Sequence, residues 1–245
     1  MSSGEQKARG SRFASIGREG NHVNGVIGEI LPSALGIAIS PIPIIAAILM
    51  LLSPKARGTS VGFMVGWIVG IVVAVVVFTL LSSIIPAADP SASKPIAGVI
   101  KILLGLGLLL LAWNQWRKRP HHGETAAPPK WMSAIDTMKP VAALGLGFLL
   151  AAVNPKNLLM AVAGGLAIGA SGLSAGQQTI AIIVFVLIAA STVVIPVVAY
   201  LIAAKKMAGP LDALRSWLLA NNATIMTVLL LVIGVVIIGK GIASF

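Results

Sequence analysis

There is no cysteine in this chain of 245 residues. Disulfides, thiol catalysis and thiolate metal sites are excluded together. Acidic residues are scarce, 7 Asp and Glu against 18 Lys and Arg. Within the apolar runs only Glu29 is acidic, and it lies at an edge. The histidines His22, His121 and His122 all fall in polar segments. A membrane metalloenzyme, a diiron centre or an aspartyl protease needs clustered ligands or carboxylates, and the sequence has none. A Ser/Lys dyad built from Lys156 with Ser40 or Ser191 has no nucleophile elbow or oxyanion motif beside it. No glycine-rich phosphate loop suits a nucleotide. The chain therefore reads as a non-enzyme, with no catalytic residue, cofactor or metal expected.

What is abundant is hydrocarbon. Hydrophobic residues make up 57% and charged ones only 10%, where soluble domains carry about 25% charge. That composition belongs to a polytopic membrane protein. The net charge of +11 raises the question of nucleic acid. The basic residues, however, cluster in short segments between apolar runs, which is a mark of membrane orientation. No nucleic-acid partner is expected.

The hydrophobic pattern predicts six spans, each near the ~20 residues that cross about 30 Å of hydrocarbon. They are 28–52, 61–85, 96–116, 141–168, 178–204 and 223–242. Residues 1–27 read as a disordered tail with no cleavable signal peptide, and 28–245 as one transporter domain. Lys55 and Arg57, then Arg117, Lys118, Arg119, Lys130 and Lys139, then Lys205, Lys206 and Arg215 all fall on one side. The positive-inside rule puts that side in the cytoplasm and both termini outside a cytoplasmic membrane. Two connecting segments have apolar residues at helical intervals. Trp131, Ile135 and Met138 in 129–138, and Leu211, Leu214 and Leu218 in 210–219, predict short helices lying in the interface.

Spans one and four share a pattern. One has Leu35-Gly36, an apolar half, Ser40-Pro41-Ile42-Pro43 and a second apolar half. The other has Leu146-Gly147, an apolar half, Asn154-Pro155-Lys156-Asn157 and a second apolar half. Two interrupted spans in corresponding places predict two three-span halves, 28–116 and 141–245, joined by a loop over 117–140. Three is odd, so the halves insert in opposite directions. The fold class is all-α membrane, six helices in a 3+3 inverted-topology repeat with helices one and four broken.

Proline removes an amide donor and displaces the carbonyl four residues earlier. Pro155 would free the carbonyl of Ala151, Pro41 that of Ile37 and Pro43 that of Ile39. Asn154 and Ser40 are good N-cap types, and proline suits the first helical position. Each motif therefore predicts a half-helix starting near the midplane, its positive end exposed. Opposite insertion would bring the two ends together. Lys156 adds a cation to that positive end. This suits a site that receives an anion, or a lysine that carries a coupling proton or responds to a coupling ion. Ser40, Pro41, Pro43, Asn154, Pro155, Lys156 and Asn157 are the candidate binding residues. Thr192, beside Ser191 in span five, either lines the pathway or bonds back to its own helix. Glu29 and Lys101 are secondary candidates that either pair or both reach the interface, the interface being the favoured reading. Gly62, Gly66 and Gly70 form a close-packing stripe, within one chain or between copies.

Ile39-Ser40-Pro41-Ile42-Pro43-Ile44, Leu51-Leu52-Ser53-Pro54-Lys55-Ala56-Arg57, Gly62-Phe63-Met64-Val65-Gly66-Trp67 and Asn154-Pro155-Lys156-Asn157 carry a resemblance. Over 28–245 the chain resembles the LysE superfamily of exporters. Within it, the chain is similar to the actinobacterial branch of glycopeptidolipid- and sulfolipid-addressing proteins. Amino-acid exporters of the superfamily usually have Pro-Gly-Pro where this chain has Pro41-Ile42-Pro43. The resemblance implies export from the cytoplasmic membrane and a part in bringing a lipid or glycolipid to the cell surface. Partners compatible with it are the lipid cargo, a homodimer mate or other envelope-export proteins. Two alternatives stay open. One is efflux of a small solute such as an amino acid or ion. The other is a non-transporting scaffold that acts through the segments 129–138 and 210–219.

Overall fold

Proline decides where four of the helices begin. Helices start on Pro41, Pro95, Pro140 and Pro155, where a missing N–H has no intrahelical partner to lose. In the computed structural model, residues 22–83, 95–117, 134–135 and 137–245 are described. They form α1 (His22–Ala38), α2 (Pro41–Leu51), α3 (Ala56–Ser83), α4 (Pro95–Arg117), α5 (Pro140–Ala152) and α6 (Pro155–Gly169). The last two are α7 (Ala175–Ala204) and α8 (Lys206–Ile242). They are one helical run broken by the non-helical backbone of Ala203, φ −137° and ψ 47°.

Four helices, α3, α4, α7 and α8, are long and apolar enough to cross a membrane. The pairs α1–α2 and α5–α6 are bent by 50° and 61° at short breaks, which makes six spans if each pair counts as one. The chain is a multi-pass membrane protein, and no strand is present among the described residues.

The glycine stripe of α3 seats the second bent pair. A Cβ at Gly62 would strike the Pro140 carbonyl, one at Gly66 the Leu144 carbonyl, and one at Gly70 the Ala151 side chain and Phe148 backbone. The contacts advance together along both helices, so α3 and α5 run parallel. Contact continues past the bend, with Gly165 against Val75 and Phe78 and Gly169 against Thr79 and Ser82. From Gly62 to Ser82 the path is about 30 Å at 1.5 Å per residue. The α5–α6 pair therefore crosses beside α3 rather than turning back. Beside the glycine stripe of α3, Val65, Val69, Val73 and Val77 are exposed, a row suited to lipid. Small residues also join α4 to α8: Gly98 meets Gly241, and Gly105 meets Gly234. These pairs advance in opposite directions, so α4 and α8 are antiparallel. Both glycine contacts lie within the chain, where backbones approach closely because no side chain intervenes.

Two boundaries differ from expectation. Helix is present from His22, ahead of the start expected at Gly28, because Val26 and Ile30 lie at helical spacing and are buried in the bundle. Residues 1–21 lie outside the described residues. The segment 210–219 is not a separate interfacial helix. It is the beginning of α8, with Leu211 and Leu218 buried. Pro210 sits in the opening turns of α8, close to backbone already interrupted at Ala203, so its missing donor does not end the helix. Most of 129–138 lies outside the described residues; Ala134, Ile135 and Thr137 are in 3-10 turns, and Ile135 is buried.

Candidate functional site

The break between α5 and α6 exposes backbone and then partly satisfies it. The amides of Val153 and Asn154 both donate to the Leu149 carbonyl, at 3.0 and 3.2 Å. The Leu150 carbonyl thereby loses its usual amide partner, and Pro155 has no N–H to offer Ala151. Asn157 answers from the far side of the break, its Nδ2 donating to the Leu150 carbonyl at 2.8 Å. Sequence reasoning named the Ala151 carbonyl as the freed group. The widened last turn, with Asn154 bonded five residues back to Leu149, adds that of Leu150, and this is the one the side chain captures. Asn154 is the N-cap, in extended conformation, its Oδ1 accepting from the Lys156 amide at 3.1 Å. The 13 residues of α5 and 15 of α6 put this cap about halfway along the span.

Two polar atoms remain over. Lys156 is 3% exposed and Asn157 is 0% exposed. Neither the Lys156 Nζ nor the Asn157 Oδ1 has a hydrogen-bond partner among the described residues. One is a cation with three donors, the other an amide acceptor, and they are neighbours in the first turn of a half-helix. The unpaired amides and dipole of that end add positive potential. A donor-rich helix end with one adjoining acceptor has the polarity to hold an oxyanion that also carries a hydroxyl. Ser60 Oγ and Trp67 Nε1 on α3 are likewise buried without partners. Sequence reasoning missed both, and a serine or tryptophan within an apolar run gives no signal of it.

The break between α1 and α2 is resolved differently. Ser40 holds the N-cap position in extended conformation, but its side chain makes no capping bond. The Ala38 carbonyl is taken by Thr192 Oγ1 from α7 at 2.6 Å. Of the two hydroxyls singled out in span five, Thr192 thus works across helices, while Ser191 bonds back to Ile188 of its own helix at 2.7 Å. Pro41 and Pro43 are buried in the first turn of α2 among Ile44 and Ile45. No charge or amide follows them.

The half-helices α2 and α6 do not pack side by side. Both lie against α3 and the α7–α8 run. The bodies of the two half-helices stay apart, and the neighbour that α6 meets on this side is α1. A Cβ on Gly36 would touch Met160 and Ile233. Met160 is one turn beyond Lys156 on the same face of α6, and Gly36 is one turn before Ser40. Consecutive spans alternate in direction and α6 follows α3, so α1 and α6 run opposite ways. That register puts Ser40 at the level of Lys156.

Glu29 and Lys101 do not merely reach an interface. Lys101 Nζ stands 2.9 Å from Glu29 Oε1, and Lys240 Nζ donates to the Glu29 main-chain carbonyl at 2.7 Å. The pairing forms because α1, α4 and α8 converge on this face, which neither periodicity nor spacing predicts. Lys240 was visible in the sequence only as an isolated charge near the end of span six.

The family model for Sap, sulfolipid-1-addressing protein, matches residues 30–243. The chain belongs to this family. The match takes in both helix breaks and the Glu29-facing residues Lys101 and Lys240. No curated protein matches the chain, and no solved structure does. For this family member, then, the arrangement of polar groups rests on the geometry above.

Proposed function

We propose that the chain is a non-enzymatic exporter of an anionic, amphipathic lipid-linked molecule of glycolipid type. One observation carries this reading: the ammonium of Lys156 is buried at the start of a half-helix with no counter-charge among the described residues. A lone charge at such depth costs several kcal/mol unless it is paired or neutralised. A site that keeps one suits a group that arrives and leaves. The family description names a sulfolipid, an amphipath with an anionic sulfate, and that is the charge an ammonium would meet. The same lysine would serve a coupling proton if transport is proton-linked.

The 3+3 inverted repeat supports alternating access. The α5–α6 pair lies on α3, Thr192 of α7 serves the α1–α2 break, and α4 and α8 pair through reciprocal glycines. Exchange of the two halves would preserve each relation, as in inverted-repeat transporters of the LysE superfamily type. On this reading the basic connecting segments lie in the cytoplasm and the face bearing Glu29 lies outside the cytoplasmic membrane.

The test compares wild type with Lys156→Met, which removes charge at similar volume. Lipids co-purifying with the protein are identified by mass spectrometry, and cell-surface glycolipid is measured beside membrane protein levels. The expected result is less co-purifying anionic lipid and loss of its export at unchanged protein level. Unchanged export by the Met variant would overturn the proposal.

A further inference from the structure

A shallow cavity of about 370 Å³ opens on the face where α1 and α4 begin and α8 ends. Gly25, Gly28, Glu29, Lys101, Lys240 and Ala243 line it. Its charge is unbalanced. The Glu29 carboxylate pairs with Lys101. Lys240 bonds the main-chain carbonyl of Glu29 instead and shares the field of that one carboxylate with Lys101, so among the described residues two ammoniums stand against a single carboxylate. Gly25 and Gly28 have open space where a Cβ would stand, so the α1 wall of the cavity is free for a ligand to approach.

We infer that this cavity binds the oxyanion headgroup of a lipid, phosphate or sulfate, between the ammoniums of Lys101 and Lys240. An ammonium keeps two further donors when one is used, so Lys240 can bind the headgroup while it still holds the Glu29 main-chain carbonyl. The Glu29 carboxylate competes for Lys101. It therefore acts as an internal substitute for the headgroup and keeps the cavity poised for release. Lipid tails would run down the exposed apolar flanks of α1 and α4, where Leu31, Leu35, Ile96, Val99 and Leu103 face outward. The site extends the export reading and rests on it for the identity of the anion: cargo received at Lys156 would leave through a second cationic station.

The experiment places the protein in phosphatidylcholine nanodiscs doped with phosphatidylglycerol and counts retained lipids by native mass spectrometry. Wild type is expected to retain phosphatidylglycerol preferentially. Lys101→Gln with Lys240→Gln lowers that retention at least about tenfold, the loss expected from even one charge-assisted bond. Glu29→Gln raises it several-fold by roughly the same reasoning, because the competing carboxylate is gone. A merely structural ion pair would give no such gain. Equal retention by wild type and the double-lysine variant overturns the site, as does a Glu29→Gln variant that retains less. Displacement of the lipid by micromolar inorganic sulfate would assign the cavity to free anions and overturn the lipid assignment. Lys156→Met separates the two proposals. Normal export in that variant with retention at this cavity intact sinks the export reading alone, whereas failure of the lysine pair sinks this site alone.

Discussion

The two helix breaks start from the same motif, a small polar residue followed by proline, and end as different objects. At the first, Ser40 makes no side-chain cap and the freed carbonyl of Ala38 is satisfied by Thr192 from another helix. Apolar isoleucines follow. At the second, Asn154 caps α6 and Asn157 reaches back to Leu150, so the break is closed from within its own span. It then carries two buried side-chain polar atoms with no partner among the described residues. Interrupting a membrane helix therefore does not by itself make a binding site. A surplus of polar side-chain atoms over available partners does, and among the described residues it is the second break that has one.

The largest effect is expected where the second broken span is seated. Gly66→Leu would drive a side chain into the Leu144 backbone. Overpacking against main chain should cost about 3 kcal/mol or more, seen as loss of folded protein by size-exclusion chromatography in detergent. Gly145 faces open space, so Gly145→Leu should leave the profile unchanged. Equal tolerance of both changes would contradict the close α3–α5 approach.

Next in size are the captured carbonyls. Asn157→Leu leaves the Leu150 carbonyl bare and should cost about 1–3 kcal/mol, read as a lower unfolding midpoint. Thr192→Val does the same to Ala38, nearer the ~0.6 kcal/mol average of hydrogen bonds between membrane helices. A larger loss for Thr192→Val would reverse the ranking of the breaks.

The smallest effects discriminate best. Asn154→Ala should cost about 1 kcal/mol through the lost cap. Ser40→Ala has no cap to lose and should fall within about 0.5 kcal/mol of wild type. Equal costs would mean that the two breaks are built alike after all. Lys156→Met completes the series with the opposite sign. Removing an unpaired buried cation should raise the unfolding midpoint while abolishing export. A lower midpoint would give Lys156 a structural role.

Much of this was legible in the chain. Apolar length and proline position marked the spans and both breaks, because the bilayer demands about 20 residues per crossing and proline cannot donate. The N-cap role of Asn154 followed from residue type alone. Other assignments did not follow. That Leu150 rather than Ala151 meets Asn157 depends on the widened last turn of α5, in which Asn154 bonds Leu149 instead of Leu150. Helical spacing in 210–219 is the same for an interfacial helix and for a buried start of α8, and only packing of Leu211 and Leu218 separates them. Glu29, Lys101 and Lys240 are remote in sequence, so their convergence needed the three helices in place.

The sequence by itself determined that this is a multi-pass membrane protein with two proline-broken spans and a lysine at a depth hydrocarbon disfavours. Those conclusions depend on local chemistry: hydropathy, the missing proline amide and the desolvation of charge. Tertiary structure decided which broken span keeps unpaired polar atoms, which helix α6 faces, and which distant lysines gather on Glu29. Each of these is a matter of partners, and partners come from other parts of the chain.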